Sequence, residues 1–229
     1  MSGTLSWANI DCPEAFNRWG RDHLAQPNGA EALSKRQAQL TRFVQLMVET
    51  RKKRQSVGHF QLTPMTPEGV HRFNEMRTER SVTPESLDQY YGTVIKKGLI
   101  FDGSERPYDT STGVAWTEER SPTAIYVMDA AGKIFSSTYR KHLVFHHSSF
   151  LSGASVAGAG EWAVAEGKLL MISNQSGHYL PQDYIFAQTV LRLFDAGIDL
   201  TGVILRHHAN SDYEPTHFKL TAGDLDPLR

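Results

Sequence analysis

The sequence predicts an α+β protein: an N-terminal helical region, then a mixed, mostly antiparallel sheet domain that carries a C-terminal helix. Three observations give this. Apolar residues recur with the helical period through the first third of the chain. After Tyr91 the pattern turns to short apolar runs broken at turn residues. One amphipathic segment, residues 181–197, then returns to the helical period between two such runs. The change of period divides the chain into a helical region over 1–90 and an α+β domain over 91–229.

In the first region Ser34 reads as an N-cap. Leu40, Phe43, Val44, Met47 and Val48 then take the i, i+3, i+4, i+7, i+8 positions of one buried helix face. The basic end of that helix, RKKRQ (51–55), suits the negative end of the helix dipole. TPEGVHRFNEMRTER (66–80) reads as a second helix, with Thr66 as cap and Pro67 in the first helical position. TPESLDQYY (83–91) repeats that opening from Thr83.

In the second region TVIKKGLIF (93–101) reads as a strand, or as two short strands broken at Gly98. SERPYDTSTG (104–113) is a loop. TAIYVMDAAGKIFSST (123–138) is a hairpin turning at Ala-Ala-Gly, and HLVFHHSS (142–149) is a further strand. EWAVAEGKLLMISN (161–174) is a second hairpin turning at Glu166-Gly167. PQDYIFAQTVLRLFDAG (181–197) is a helix closed by Gly197. GVILRHH (202–208) and YEPTHFKL (213–220) complete the strands.

Composition narrows the partners. Of 229 residues, 40% are hydrophobic and 21% charged, as in ordinary soluble domains. A net charge of −1 gives no global field toward nucleic acid or an anionic membrane, so neither is expected as a partner. The single cysteine, Cys12, rules out an intramolecular disulfide and reads as structural or incidental. No apolar run approaches the length of a membrane span. The first residues lack the basic-then-apolar order of a signal peptide. A cytoplasmic location, or delivery into a host cell by a dedicated secretion machine, is the expectation.

Two segments concentrate the unusual residues: FHHSSFLSG (145–153) and ISNQSGHYLP (172–181). If their strands are neighbours, His146 or His147, Ser148, Ser149, Ser176, His178 and Tyr179 gather at one sheet edge. The small residues of 153–160 would let a ligand approach the backbone closely.

Four chemistries compete for this cluster. His142, His146, His147 and His178 could hold a metal, but HxxxHH is not a recognised ligand spacing and no carboxylate completes it, so no metal is expected. A Ser-His hydrolase lacks GxSxG and an obvious orienting aspartate. Satisfied polar groups at a strand end account for the same residues without any chemistry, because adjacent strand residues point to opposite faces. A nucleotide-binding transferase would use imidazole and hydroxyl donors on the ribose and carboxamide and an aromatic ring on the nicotinamide. A carboxylate would stabilise the developing positive charge. Glu161 is the candidate carboxylate, with Glu166 and Glu214 as rivals.

HSSFLSG (147–153), AGE (159–161) and SGHYLP (176–181) resemble the core of the plant IQM proteins, the IQ-motif calmodulin-binding family. YGTVIKKGLIF (91–101) and AIYVMDAAGKIF (124–135) resemble the segments that precede that core, and the resemblance covers about residues 90–205. Two departures stand out. RFVQLMVETRKKRQ (42–55) is basic and amphipathic but lacks the IQ pattern, so calmodulin binding does not carry over directly. The plant pattern tends to carry Arg where this chain has Glu161. A compact chain with this core resembles a bacterial version. It is also similar in plan to injected effectors that ADP-ribosylate a host protein, including those acting on a threonine of ubiquitin.

That second resemblance implies a mono-ADP-ribosyltransferase using NAD on a host protein such as ubiquitin. His147 and Ser148 would act with Glu161 in catalysis, while Ser149, Ser176, His178 and Tyr179 would bind the dinucleotide. The helical region would dock the protein substrate. A glycohydrolase would use the same groups. The alternative is a non-catalytic module that binds calmodulin or another regulator through residues 34–55.

Overall fold

The structure, a computed structural model, describes residues 14, 20, 29–76, 82, 84–111, 122–141, 143–208 and 215–229. The expectations placed on Cys12, Thr83, His142 and Glu214 lie outside the described residues.

Helix α1 (Ala30–Val57) begins ahead of the expected cap. Gly29 precedes it, and Ala30, Glu31, Ala32 and Leu33 are strong helix formers, so Ser34 lies inside the first turns rather than at the cap. Leu40, Phe43, Val44 and Met47 are buried along one face, as their spacing requires. Phe43 and Met47, 3% and 0% exposed, each contribute on the order of 1.5–3 kcal/mol by leaving water. Gly58 closes the helix in the left-handed conformation, its N–H donating to Arg54 O at 2.8 Å. Arg51 and Arg54 both pair with Asp195. Helix α2 (Pro67–Glu75) starts as its sequence predicts, with Thr66 Oγ1 accepting from Gly69 N at 2.9 Å. Helix α3 (Pro84–Tyr91) leads into the sheet region.

The predicted hairpins form in register. Strands β1 (Val94–Lys96) and β2 (Leu99–Phe101) pair around Lys97-Gly98, so the break at Gly98 is a turn. Strands β3 (Ala124–Met128) and β4 (Ile134–Ser137) flank a turn held by Asp129. Its Oδ1 accepts the N–H groups of Ala131 and Lys133, each at 2.9 Å.

One expected strand is absent. Among the described residues of HLVFHHSS, Phe145 makes an isolated bridge to the preceding Lys141 across a turn, and His147 opens the one-turn helix α4 (His147–Phe150). Aromatic packing decides this. Phe145 and Phe150 meet edge-to-face at 5.1 Å, and Tyr91 lies 5.2 and 5.5 Å from them, a cluster that an extended chain could not close.

Strands β5 (Gly158–Ala165) and β6 (Lys168–Ser173) turn at Glu166-Gly167. Helix α5 (Asp183–Asp195) crosses to β7 (Ile204–His207), and β8 (Thr216–Lys219) returns beside it. The sheet order is β4-β3-β5-β6-β7-β8. Only the β6–β7 pair is parallel, because a helical crossover and not a hairpin joins those strands. Helix α6 (Ala222–Leu225) and a 3-10 turn (Asp226–Leu228) follow.

Strand alternation gives the sheet two faces. Tyr126, Trp162, Ile172, Leu205 and Phe218 pack on one face in a single cluster with α1 and α5 residues such as Phe43 and Phe186. Ile125, Val127, Phe135 and Ala159 pack on the other with Phe145, Phe150 and Tyr179. The small residues serve this packing. A Cβ on Gly158 would lie 2.2 Å from Thr189 Oγ1 of α5, and one on Gly160 would lie 1.9 Å from Ser173 O. The close neighbours at these glycines are the protein's own atoms. Among the described residues no helix is long and apolar enough to cross a membrane.

Candidate functional site

The second sheet face carries the residues singled out in the sequence. HSSFLSG and SGHYLP do converge there. Ser148 Oγ lies 2.7 Å from His178 Nδ1, which joins helix α4 to the turn after β6. The turn is closed by Leu180 N donating to Ser176 O at 2.9 Å. Helix α2 supports it from outside, with Thr66 N donating to His178 O at 2.9 Å. A Cβ on Gly69 would stand only 2.1 Å from that same carbonyl, so glycine is what lets α2 approach.

Each imidazole has its own environment. His147 is buried, and its Nε2–H donates to Gly160 O at 2.9 Å. Burial is the main cause that lowers its pKa to about 4, and the Gly160 contact opposes this only in part. His178 is also lowered, first by burial and then by the Arg72 charge. His146 does not share the His147 site. It precedes α4, and its ring packs 5.2 Å from that of His178. Ser149 serves α4 itself, accepting from His146 N at 3.0 Å.

Tyr179 is 1% exposed, and its hydroxyl donates to Ala154 O at 2.8 Å. Burial raises its pKa. Its ring belongs to the apolar cluster under the sheet, so it is not a free stacking surface. Ser176 Oγ is buried with no hydrogen-bond partner among the described residues.

Glu161 lies on β5, directly opposite Ile125. Arg140 Nη1 pairs with its Oε1 at 2.6 Å, and Thr123 Oγ1 donates to its Oε2 at 3.3 Å. The two charged side chains are 11% and 14% exposed. Burial by itself would raise the Glu161 pKa, but the Arg140 charge and hydrogen bond, helped by His147 and Arg206, hold it below the ordinary carboxylate range. Glu166, one of its rivals, is exposed in the β5–β6 turn and takes no part.

Arg140 and Thr123 are the partners of Glu161 that sequence reasoning missed. They stand 21 and 38 residues from Glu161, and only strand register brings them to it, as the β3–β5 pairing does for Thr123. Arg206, whose Nη1 donates to Gln175 Oε1 at 2.5 Å, and His217 opposite it extend the polar row across β7 and β8.

The chemistry available is limited by this closure. Ser148 meets His178 through Nδ1, and the charge that shifts that ring is a cation, Arg72, not an orienting carboxylate. No group of three His, Cys, Asp or Glu residues able to hold a metal occurs among the described residues. A groove of about 570 Å³ lies on the other side of the sheet, between α1 and the start of α5, lined by Arg42, Glu49, Asp183 and His207 among others.

Residues 88–186 match the family model of the IQ motif-containing protein middle domain. Three Arabidopsis thaliana proteins are similar to the chain. IQ domain-containing protein IQM1 is 32% identical over 148 residues, 63% of this chain and 29% of its own length. IQ domain-containing protein IQM4 is 30% identical over 137 residues, 58% of this chain and 25% of its own. IQ domain-containing protein IQM3 is 32% identical over 155 residues, 66% of this chain and 32% of its own. The chain thus spans less than two thirds of the length of these relatives. No solved structure matches. The resemblance to the plant IQM core therefore holds. The expectation of an ADP-ribosyltransferase, toxin or bacterial effector directed at ubiquitin is overturned, because the similar proteins are plant IQ domain-containing proteins.

Proposed function

We propose that this chain, which matches the family model of the IQ motif-containing protein middle domain over residues 88–186, is a regulator-binding module and that its partner is calmodulin or a similar acidic regulator. One observation carries the reading. His147, Ser148, His178 and Tyr179, which could have formed a reactive centre, are closed on one another or on backbone carbonyls, whereas α1 presents a long solvent face. That face includes Lys52 and Lys53, both exposed, beside Arg51 and Arg54. A basic amphipathic helix is a common target of such regulators.

The mode of contact follows from packing. Leu40, Phe43, Val44 and Met47, the apolar anchors that a regulator would grip in an isolated helix, are committed to the core. The partner therefore meets the basic outward face with the fold intact. Calorimetric titration with calcium-loaded calmodulin tests this. Binding by the full chain is expected, with a loss of about tenfold or more on Lys52→Glu/Lys53→Glu and an unchanged near-ultraviolet spectrum. Absence of binding, or binding indifferent to the charge reversal, refutes the proposal.

A further inference from the structure

The groove between α1 and the start of α5 belongs to no element of the histidine-serine cluster. Its volume, about 570 Å³, is in the range of small-ligand sites. Phe43 and His207 form an apolar and aromatic floor, their ring centroids 5.4 Å apart. His207 Nε2–H donates to Asp183 Oδ1 at 2.9 Å, so the Asp183 carboxylate is already engaged. The polar ends around this floor make no close contact, although the Arg42 charge does act on Asp183 across the groove. Arg42, Glu49, Gln39, Gln45 and Gln182 make no side-chain hydrogen bond or ion pair among the described residues, yet all line the same opening.

Their order along α1 defines a ligand. Arg42 and Glu49 are seven residues apart, which places their helix positions about 10 Å apart along the axis. Opposite charges at the two ends select a ligand with an anion at one end and a cation at the other. Extended chain covers at most about 3.3–3.6 Å per residue, so the span corresponds to about three residues. Gln39, Gln45 and Gln182 supply amides, each with both donors and an acceptor, matched to peptide groups.

We propose that this groove binds a short peptide with free termini, its carboxylate toward Arg42 and its ammonium toward Glu49. The glutamine amides read the peptide backbone, and side chains of the ligand rest on Phe43 and His207. The site is separate from the basic outward patch at Lys52 and Lys53, so it stands or falls without the regulator-binding reading.

Calorimetric titration of the full chain with trialanine, N-acetyl-trialanine and trialanine amide tests it. Saturable binding of trialanine is expected, with each blocked form weaker by about tenfold or more. Arg42→Gln is expected to remove the penalty for amidation, and Glu49→Gln the penalty for acetylation. Both side chains are exposed and outside the core, so circular dichroism should show unchanged folding. No saturable heat, equal binding of all three peptides, dependence on one terminus alone, or variants that leave the pattern unchanged would each overturn the proposal.

Discussion

Ser148 Oγ and His178 Nδ1 lie 2.7 Å apart, and this contact ties two segments 30 residues apart in sequence into one buried unit beneath the sheet. Helix α4 supplies the hydroxyl and the turn after β6 supplies the imidazole. Ser148 is 0% exposed and His178 6%, so the pair contributes to the fold and does not face solvent.

Removing the hydroxyl should therefore read out as stability. Ser148→Ala leaves Nδ1 of His178 without its partner in a buried site, at a cost of about 1–3 kcal/mol. Urea unfolding monitored by tryptophan fluorescence measures this. An unchanged midpoint would show that the contact is not stabilising.

Acid should weaken the fold through His147. Its pKa falls from 6.5 to about 4 in the folded chain. Below pH 6.5 the unfolded chain binds a proton that the folded chain refuses, so stability drops as pH falls from 6.5 to about 4, by roughly 3 kcal/mol. His217, lowered to about 3 chiefly by burial, adds to the same trend. Urea midpoints taken between pH 7 and 4.5 should decline steeply in the wild type and less steeply in His147→Gln. Parallel profiles would refute the assignment to His147.

Breaking the Arg140–Glu161 pair should cost more than deleting both charges. Arg140→Ala strands a carboxylate that is only 14% exposed, with an expected loss of about 3–5 kcal/mol. Because the folded pKa of Glu161 is depressed, the pair's contribution is present above the ordinary carboxylate pKa and disappears as pH falls through the folded value. Arg140→Ala combined with Glu161→Gln should recover part of the loss. A strictly additive double mutant would mean that the two charges are not coupled.

Gly69→Ala should loosen the turn that presents His178. The added Cβ would stand 2.1 Å from His178 O, and neither backbone can yield without moving α2. Hydrogen exchange should show faster exchange at Leu180, whose N–H closes that turn, with little change in α5. Unaltered protection at Leu180 would count against the coupling of α2 to the turn.

Met47→Ala should detach α1 from the sheet. Met47 is 0% exposed within the main core, and truncation there costs about 2–5 kcal/mol. Thermal unfolding would report the loss, and an effect below about 1 kcal/mol would mean that α1 is not held by this face.

Where local chemistry dominates, the sequence reading and the structure coincide. Thr66 caps α2, Lys97-Gly98 and Glu166-Gly167 turn their hairpins, and the apolar face of α1 is the buried one. Departures arise where distant residues intervene. HLVFHHSS has strand propensity, but the rings of Tyr91, Phe145 and Phe150 draw it into a turn and the short helix α4. The glycine and alanine run that suggested room for a ligand is filled by Thr189 and Ser173 of the chain itself.

The amino-acid order by itself determined the period of each helix and hairpin, the turns between them and the likeness to the IQM core, because capping, alternation and turn chemistry act over a few residues. It also marked the histidines and serines worth following. Tertiary structure alone decided what those groups face: Ser148 against His178, His147 against Gly160, Glu161 against Arg140, and the groove above Phe43. Strand register and helix packing bring together groups far apart along the chain, and burial then sets whether a polar atom faces water, a partner or a ligand.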